Sequence, residues 1–196
     1  MIKKPATFFK DIAGQNFSLV IPIVILIITG VLMGIIVFYN IPQIKETWEE
    51  TNLDNDYTIN QLIKAKKVQA FLAPLWTIFF WILFSSGLLI VILGFSGKAE
   101  FKEIFNSTSF LAFPLLAQQI LRVFMTALPN LGGVYTVVSI LFFGYLCFLV
   151  FIISREVGLL NNIQAGFATA ISVFFGTLLW YVYDPLISML IIGHEF

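Results

Sequence analysis

The chain has 196 residues, of which 59% are hydrophobic and 11% are charged, whereas a soluble globular domain carries about 25% charged residues. This composition excludes an ordinary soluble domain and predicts a chain that is solvated by lipid and by its own helices. Eleven basic side chains balance eleven acidic ones, which removes the electrostatic basis for nucleic-acid binding.

Five apolar runs follow along the chain, and each is long enough to cross a hydrocarbon core of about 30 Å as a helix. The runs cover residues 17–39, 70–94, 108–128, 134–154 and 163–183. A backbone within hydrocarbon must satisfy its own hydrogen bonds, and the runs lack the alternating pattern of β-barrel strands. The predicted fold is therefore all-α, with one membrane domain over residues 1–196 that forms a bundle of five transmembrane helices.

The connections between these spans differ in length. Residues 40–69 form a long polar loop with helical pieces, in which Thr58 and Gln61 make a capping-box pattern that starts a helix leading into the second span. Residues 95–107 separate the second and third spans. A tight turn at 129–133 makes the third and fourth spans an antiparallel helical hairpin.

The segment before the first span carries apolar residues on one helical face, at Phe8, Phe9, Ile12 and Phe17. This pattern predicts either a helix that lies on the membrane surface or a frayed start to the first span.

Basic residues beside the spans predict the orientation of the bundle, because such residues are enriched on the cytoplasmic side. A cytoplasmic N-terminus places six of them inside (Lys3, Lys4, Lys10, Lys98, Lys102 and Arg155) and four outside (Lys45, Lys64, Lys66 and Lys67). With five spans the C-terminus then lies outside, and the long polar loop is extracytoplasmic.

Polar residues inside the spans form a first candidate site. Arg122 lies within the third span and Asp184 near the end of the fifth. Both spans run in the same direction, so we expect the two residues to meet at similar depth. Gln118 and Gln119 extend this polar track by one helical turn. Ionisable residues in a membrane are costly and are expected to be paired or functional. Arg122 either snorkels to the outer interface or ties two helices together through Asp184, with the glutamines as further polar contacts between helices. The alternative is that these residues line the path of a small transporter or channel.

Small residues at a spacing of four mark two helix-packing faces. Gly30 and Gly34 lie in the first span, and Gly166 and Ala170 in the fifth. Such pairs let helices approach closely, either within one chain or between chains, and we expect contacts within the chain.

Residues for catalysis or metal binding are scarce. His194 and Cys147 are single, and the acidic loop around Asp54 and Asp56 departs from a calcium-binding loop at Tyr57 and Ile63. The sequence therefore predicts a protein without enzymatic activity, metal or cofactor.

Two short loops resemble those of a known family. The segment from Gly94 to Glu103 (GFSGKAEFKE), followed by a span that contains Pro114, resembles the Gly-Gly-Lys-Gly-x-Phe-like loop of the Yip1-domain family. The segment from Arg155 to Leu159 (REVGL) resembles that family's Arg-Glu-Val-His-Gly-like turn, and the phrase from Phe8 to Ile12 is similar to its opening. The resemblance is to the prokaryotic type and covers nearly the whole chain.

This resemblance implies five spans, a cytoplasmic N-terminus and, in eukaryotic relatives, roles in vesicle trafficking through small GTPases and other family members. The chain lacks their long N-terminal region and Asp-Leu-Tyr-Gly-Pro motif, which argues against binding of a small GTPase. The predicted function is that of a multi-pass membrane scaffold or adaptor, placed in the cell membrane if the protein is prokaryotic. Its expected partners are the lipid bilayer, other copies of itself and other membrane proteins.

The two loops form the second candidate site, a cytoplasmic surface that consists of Gly94, Gly97, Lys98, Phe101, Lys102, Arg155 and Glu156. Gly94 and Gly97 bracket a helix end, where glycine typically adopts the left-handed conformation that closes the helix. The basic residues either attract anionic lipid phosphates or pair locally with neighbouring glutamates.

Overall fold

The computed structural model describes residues 5–14, 19–42, 56–126 and 132–192, except for the side chains at 13–14, 56–58, 122–123, 125–126, 132–133, 135 and 183–192. Seven helices are assigned within these ranges. They are α1 (Pro5–Gly14), α2 (Val20–Tyr39), α3 (Asp56–Gly94), α4 (Phe101–Ser109), α5 (Ala112–Thr126), α6 (Gly132–Glu156) and α7 (Asn162–Ile192).

Five segments of these helices are long and apolar enough to cross a membrane. They are Val20–Tyr39, Ile59–Gly94, Phe101–Leu121, Thr136–Glu156 and Asn162–Val182. The prediction of an all-α bundle with five spans is thereby confirmed. The tight turn predicted at 129–133 falls mostly outside the described residues.

The second span is longer than predicted. α3 has 39 residues, which corresponds to about 58 Å of helix, and a hydrocarbon core is about 30 Å thick. Residues 56–69, which were expected to belong to a loop with helical pieces, continue the span as one helix. The capping-box pattern at Thr58 came within two residues of the observed helix start at Asp56.

The third span is broken, which corrects the prediction of one helix over 108–128. The chain becomes helical at Phe101, leaves the helix at Phe110 and Leu111, and resumes as α5. Pro114 provides the physical reason, because its nitrogen cannot donate a hydrogen bond to the carbonyl of Phe110 and its ring crowds that turn. The result is a short helix, α4, whose residues from Ile104 to Ser109 are all buried.

The protein core lies where α3, α4, α6 and α7 meet. Leu88 and Ile92 of α3, Ile104 of α4, Ile153 of α6 and Ala165 of α7 are fully buried there. One polar pair lies among them, because the hydroxyls of Ser85 and Thr108 form a buried hydrogen bond of 2.7 Å. By contrast, large apolar side chains of α2, α6 and α7 are exposed, as expected for surfaces that contact lipid.

Glycines allow the closest helix contacts. A Cβ atom added at Gly30 would lie 2.5 Å from the Cα of Pro74, and one added at Gly34 would clash with the carbonyl of Ala70, so α2 packs on α3 through this face. On the far side of α3, a Cβ at Gly176 of α7 would lie 2.9 Å from the ring of Phe84. The first of the two predicted small-residue faces therefore forms a contact within the chain.

α1 is a separate helix that packs on the bundle. Phe9 and Ile12 are buried, Phe8 makes an edge-to-face contact with Phe110 at 5.5 Å, and α1 contacts both α4 and α6. Lys10 faces solvent. Of the two expectations for this segment, the structure shows a distinct helix, and protein covers much of its apolar face.

Candidate functional site

Two loops that are far apart in sequence meet at one end of the bundle. The first, residues 95–100, follows α3, and the second, residues 157–161, follows α6. The backbone N–H of Lys98 donates to the carbonyl of Gly158 at 3.1 Å, which joins the loops directly. We call residues 95–100 and 157–161 the paired loops.

Glycine is required at this junction because the two backbones nearly touch. A Cβ added at Gly97 would lie 2.5 Å from the carbonyl oxygen of Gly158 and 2.6 Å from Cγ2 of Ile92. A Cβ added at Gly158 would lie 2.5 Å from the carbonyl oxygen of Ser154. Ile92, which is fully buried, fills the space beneath both loops. A larger residue at Gly97 would therefore push the loops apart, and one at Gly158 would clash with the end of α6 and with Ile92.

The end of α3 is closed in an unexpected way. Ser96 N–H donates to the carbonyl of Leu93 at 3.0 Å, and Gly97 N–H donates to that of Ile92 at 2.9 Å, which is the hydrogen-bond pattern of a Schellman motif. The left-handed residue is Ser96, with φ of 62°. The prediction of a left-handed glycine was wrong, since no glycine in the described part of the chain has a positive φ. Of the two predicted glycines, Gly97 serves close approach instead.

The second loop also contains a residue in the left-handed region. Leu159 has φ of 54°, and 65% of its surface is exposed. For a residue other than glycine this conformation is uncommon and carries strain, and the surrounding contacts must hold it in place. The paired loops thus present a large apolar side chain from a constrained backbone.

Gln164 links the two loops through its side chain, and the sequence analysis did not assign it this role. Its backbone N–H donates to Oδ1 of Asn161 at 2.9 Å, and its side-chain Oε1 accepts from the backbone N–H of Asn161 at 3.2 Å. Its Nε2 donates to the carbonyl of Phe95 at 3.1 Å, across 69 residues of sequence. The Asn161-x-x-Gln164 spacing is a capping pattern from which the start of α7 was predictable.

The charged residues of the predicted surface lie around the paired loops. Arg155 pairs with Glu156, with Nη2 at 2.6 Å and Nε at 2.9 Å from the same carboxylate oxygen, and its guanidinium lies over the ring of Phe151 at 5.7 Å. Lys98 is exposed and Lys102 is half-buried. Arg155 is thus locally paired, and partly exposed pairs of this kind contribute little to stability.

Two further members of this predicted surface differ in their surroundings. Phe101 is partly exposed and stacks on Phe105, with ring centroids 5.6 Å apart, at the start of α4. Gly94 has no atom within 4 Å of the position that a Cβ would occupy. Gly94 therefore has no packing role comparable to that of Gly97.

The intramembrane polar group is only partly described. The backbones of Arg122 and Asp184 lie in α5 and α7, but their side chains fall outside the described residues, so their pairing stays a prediction. Gln118 and Gln119 are both half-buried. Gln118 lines a groove of about 420 Å³ whose other walls come from α6.

The second small-residue face is open. No atom lies within 4 Å of a Cβ built at Gly166, and Ala170 is exposed. This pair makes no close helix contact in the part of the chain that the structure describes.

Within the described ranges, no group of three or more His, Cys, Asp or Glu side chains is placed to hold a metal ion. No curated protein and no solved structure is similar enough to the chain to count as a match. The Yip1 domain family model matches residues 1–183, which is nearly the whole chain and includes both of the paired loops. With five helices able to cross a membrane and this match over its length, the chain is a multi-pass membrane protein that belongs to the Yip1 domain family.

Proposed function

We propose that this protein is a non-enzymatic membrane scaffold or adaptor, and that the paired loops are the surface on which a partner protein docks. The observation that carries the proposal is the direct bond between the loops, from Lys98 N–H to the Gly158 carbonyl, with a second bond from Gln164 to Phe95. These bonds hold the two loops in one fixed arrangement.

A preformed surface favours binding because less conformational entropy is lost when a partner docks. The paired loops hold Leu159 in an uncommon backbone conformation, and its side chain is largely exposed. Lys98, also exposed, adds a charge from the first loop. An apolar residue beside charged ones on a rigid frame is the arrangement typical of a protein-binding site.

We further propose that this end of the bundle faces the cytoplasm. The basic residues beside the spans favour that orientation. α1, which carries the N-terminal Lys10, packs on α4, the helix that directly follows the first of the paired loops. The N-terminal region and the paired loops therefore belong to the same side of the membrane.

Site-specific photo-crosslinking in native membranes tests the proposed docking surface. A photoreactive amino acid replaces Leu159, and the matched control replaces Lys67, an exposed position at the opposite end of α3. The expected result is a discrete crosslinked protein from position 159 and not from position 67. Crosslinks to lipid alone at position 159, or the same proteins from both positions, would refute a docking role for the paired loops.

Cysteine labelling tests the orientation separately. Cys147, the single native cysteine, is replaced by serine, and single cysteines are placed at Lys98 and Lys67. In sealed right-side-out vesicles, a membrane-impermeant maleimide is expected to label position 67 and to spare position 98. Labelling of position 98 from outside would overturn the orientation.

A further inference from the structure

A groove with mixed polar and apolar walls lies between α5 and α6, away from the paired loops. Its volume is about 420 Å³, and it is lined by Gln118, Thr136, Ser139, Ile140 and Phe143. The groove is wide open along one side, so it suits a ligand that lies along the helices. Ile140 and Phe143 are 65% and 51% exposed, so the groove opens onto a surface that contacts lipid.

The described residues of the polar wall are uncharged and able to form hydrogen bonds. Gln118 carries an amide that both donates and accepts, and Thr136 and Ser139 carry hydroxyls. The Ser139 hydroxyl oxygen is buried and has no hydrogen-bond partner. A buried hydroxyl without a partner is unfavourable, which indicates that a further polar group completes this wall.

The depth of these residues in the membrane follows from helix geometry. α6 has 25 residues, or about 37 Å of helix, and slightly exceeds a hydrocarbon core of about 30 Å. Thr136 and Ser139 lie four and seven residues after its first residue, which places them about 6 and 10 Å along the helix. Ile140 and Phe143 lie deeper. The hydroxyls are thus near the boundary of the hydrocarbon, and the apolar wall extends into it.

This order of polar and apolar groups matches a membrane lipid in its normal orientation. We infer that the groove binds an ester-linked glycerolipid of the leaflet opposite the paired loops. Its ester carbonyl accepts a hydrogen bond from Gln118 and, once the Ser139 side chain turns out of its buried position toward the groove, a second one from Ser139, and its acyl chain lies along Ile140 and Phe143. An uncharged polar group such as an ester fits, because none of these five lining residues is charged. The inference goes beyond the scaffold role and does not depend on it.

Photo-labelling in proteoliposomes tests the site. The probe is phosphatidylcholine with a diazirine near the ester end of one acyl chain, in vesicles of unlabelled phosphatidylcholine, and labelled peptides are identified by mass spectrometry. We expect labelling to concentrate on residues 112–121 and 134–143. The paired substitution Gln118→Leu with Ser139→Ala is expected to lower it about fivefold or more, which is the effect of losing about one net hydrogen bond. The control Thr177→Ala changes an exposed hydroxyl on α7 and is expected to have no effect.

An ether-linked probe isolates the hydrogen bond. This lipid has the same chains but no ester carbonyl, and it is expected to label the native groove as weakly as the ester probe labels the double variant. In the double variant, the two probes are expected to label the groove equally, because the side chains that would bond the ester carbonyl are absent. Elution of each variant as a single monodisperse species in detergent shows that it is folded.

Three outcomes would overturn the inference. In the first, labelling is spread over all exposed helices and is unchanged in the double variant. In the second, the ether and ester probes label the native groove equally. In the third, a cysteine at position 139 reacts with a water-soluble maleimide or crosslinks to a second copy of the chain, which would assign the groove to water or to a protein partner.

Discussion

Substitution of Gly97 by alanine is the sharpest test of the contact between the paired loops. The added Cβ would lie 2.5 Å from the Gly158 carbonyl oxygen and 2.6 Å from Cγ2 of Ile92. Neither atom is the free end of a flexible side chain, because one is backbone and the other belongs to a fully buried residue. The loops must therefore move apart.

The cost of this movement has two parts. Overpacking of a tight core typically costs about 1–3 kcal/mol. Loss of the bond from Lys98 N–H to the Gly158 carbonyl, which measures 3.1 Å, adds about 1 kcal/mol. The expected destabilisation is thus about 2–4 kcal/mol, which corresponds to a fall in melting temperature of about 4–16 °C for a chain of this length.

Thermal unfolding in detergent measures this change, and Gly94→Ala is the matched control. No atom lies within 4 Å of a Cβ at Gly94, and this glycine is the last residue of α3, so alanine there is expected to be neutral or slightly stabilising. Equal melting temperatures for the two variants would refute the argument that close approach of the loops requires glycine at position 97.

Three further tests, two of them with a second variant, address other contacts of the bundle. Gly34→Ile is expected to separate α2 from α3 and to cost about 3 kcal/mol or more, while Gly166→Ile is expected to leave the melting temperature unchanged, because nothing lies near it. Gln164→Leu removes the bond to the first of the paired loops, and hydrogen exchange at residues 95–100 is expected to rise; unchanged exchange would contradict a linking role. Thr108→Val leaves the Ser85 hydroxyl buried without its partner at 2.7 Å and is expected to cost about 1–3 kcal/mol in thermal unfolding. Adding Ser85→Ala to it is expected to recover part of that loss, and a fully additive double variant would count against the bond.

The sequence allowed the membrane spans to be predicted because their cause is local. A run of about 20 apolar residues in hydrocarbon has to form a helix, whatever lies beside it. The first, fourth and fifth spans were predicted within a few residues of their observed positions, whereas the second begins 11 residues earlier (59 against 70) and the third 7 residues earlier (101 against 108) than predicted. The early Pro114 was noted as a feature of the third span, but the break that it causes at Phe110 and Leu111 was not predicted.

The candidate sites were predicted less completely, because they depend on contacts between distant parts of the chain. Both loop segments were identified from their motifs, but not the bond between them or the role of Gln164, whose partner Phe95 is 69 residues away. Gln118 was identified as an intramembrane polar residue. The groove that it lines needed the positions of Thr136 and Ser139 on a second helix.

The amino-acid sequence by itself determined that this is an all-helical membrane protein with five spans, since hydropathy and run length act on each segment separately. It also determined membership of the Yip1 domain family, since the family model matches residues 1–183. Only the tertiary structure decided why Gly97 has to be glycine. It also decided which glycine pair packs and where α1 docks. These outcomes depend on distances between backbones that approach each other from far apart in the chain, and no local pattern contains that information.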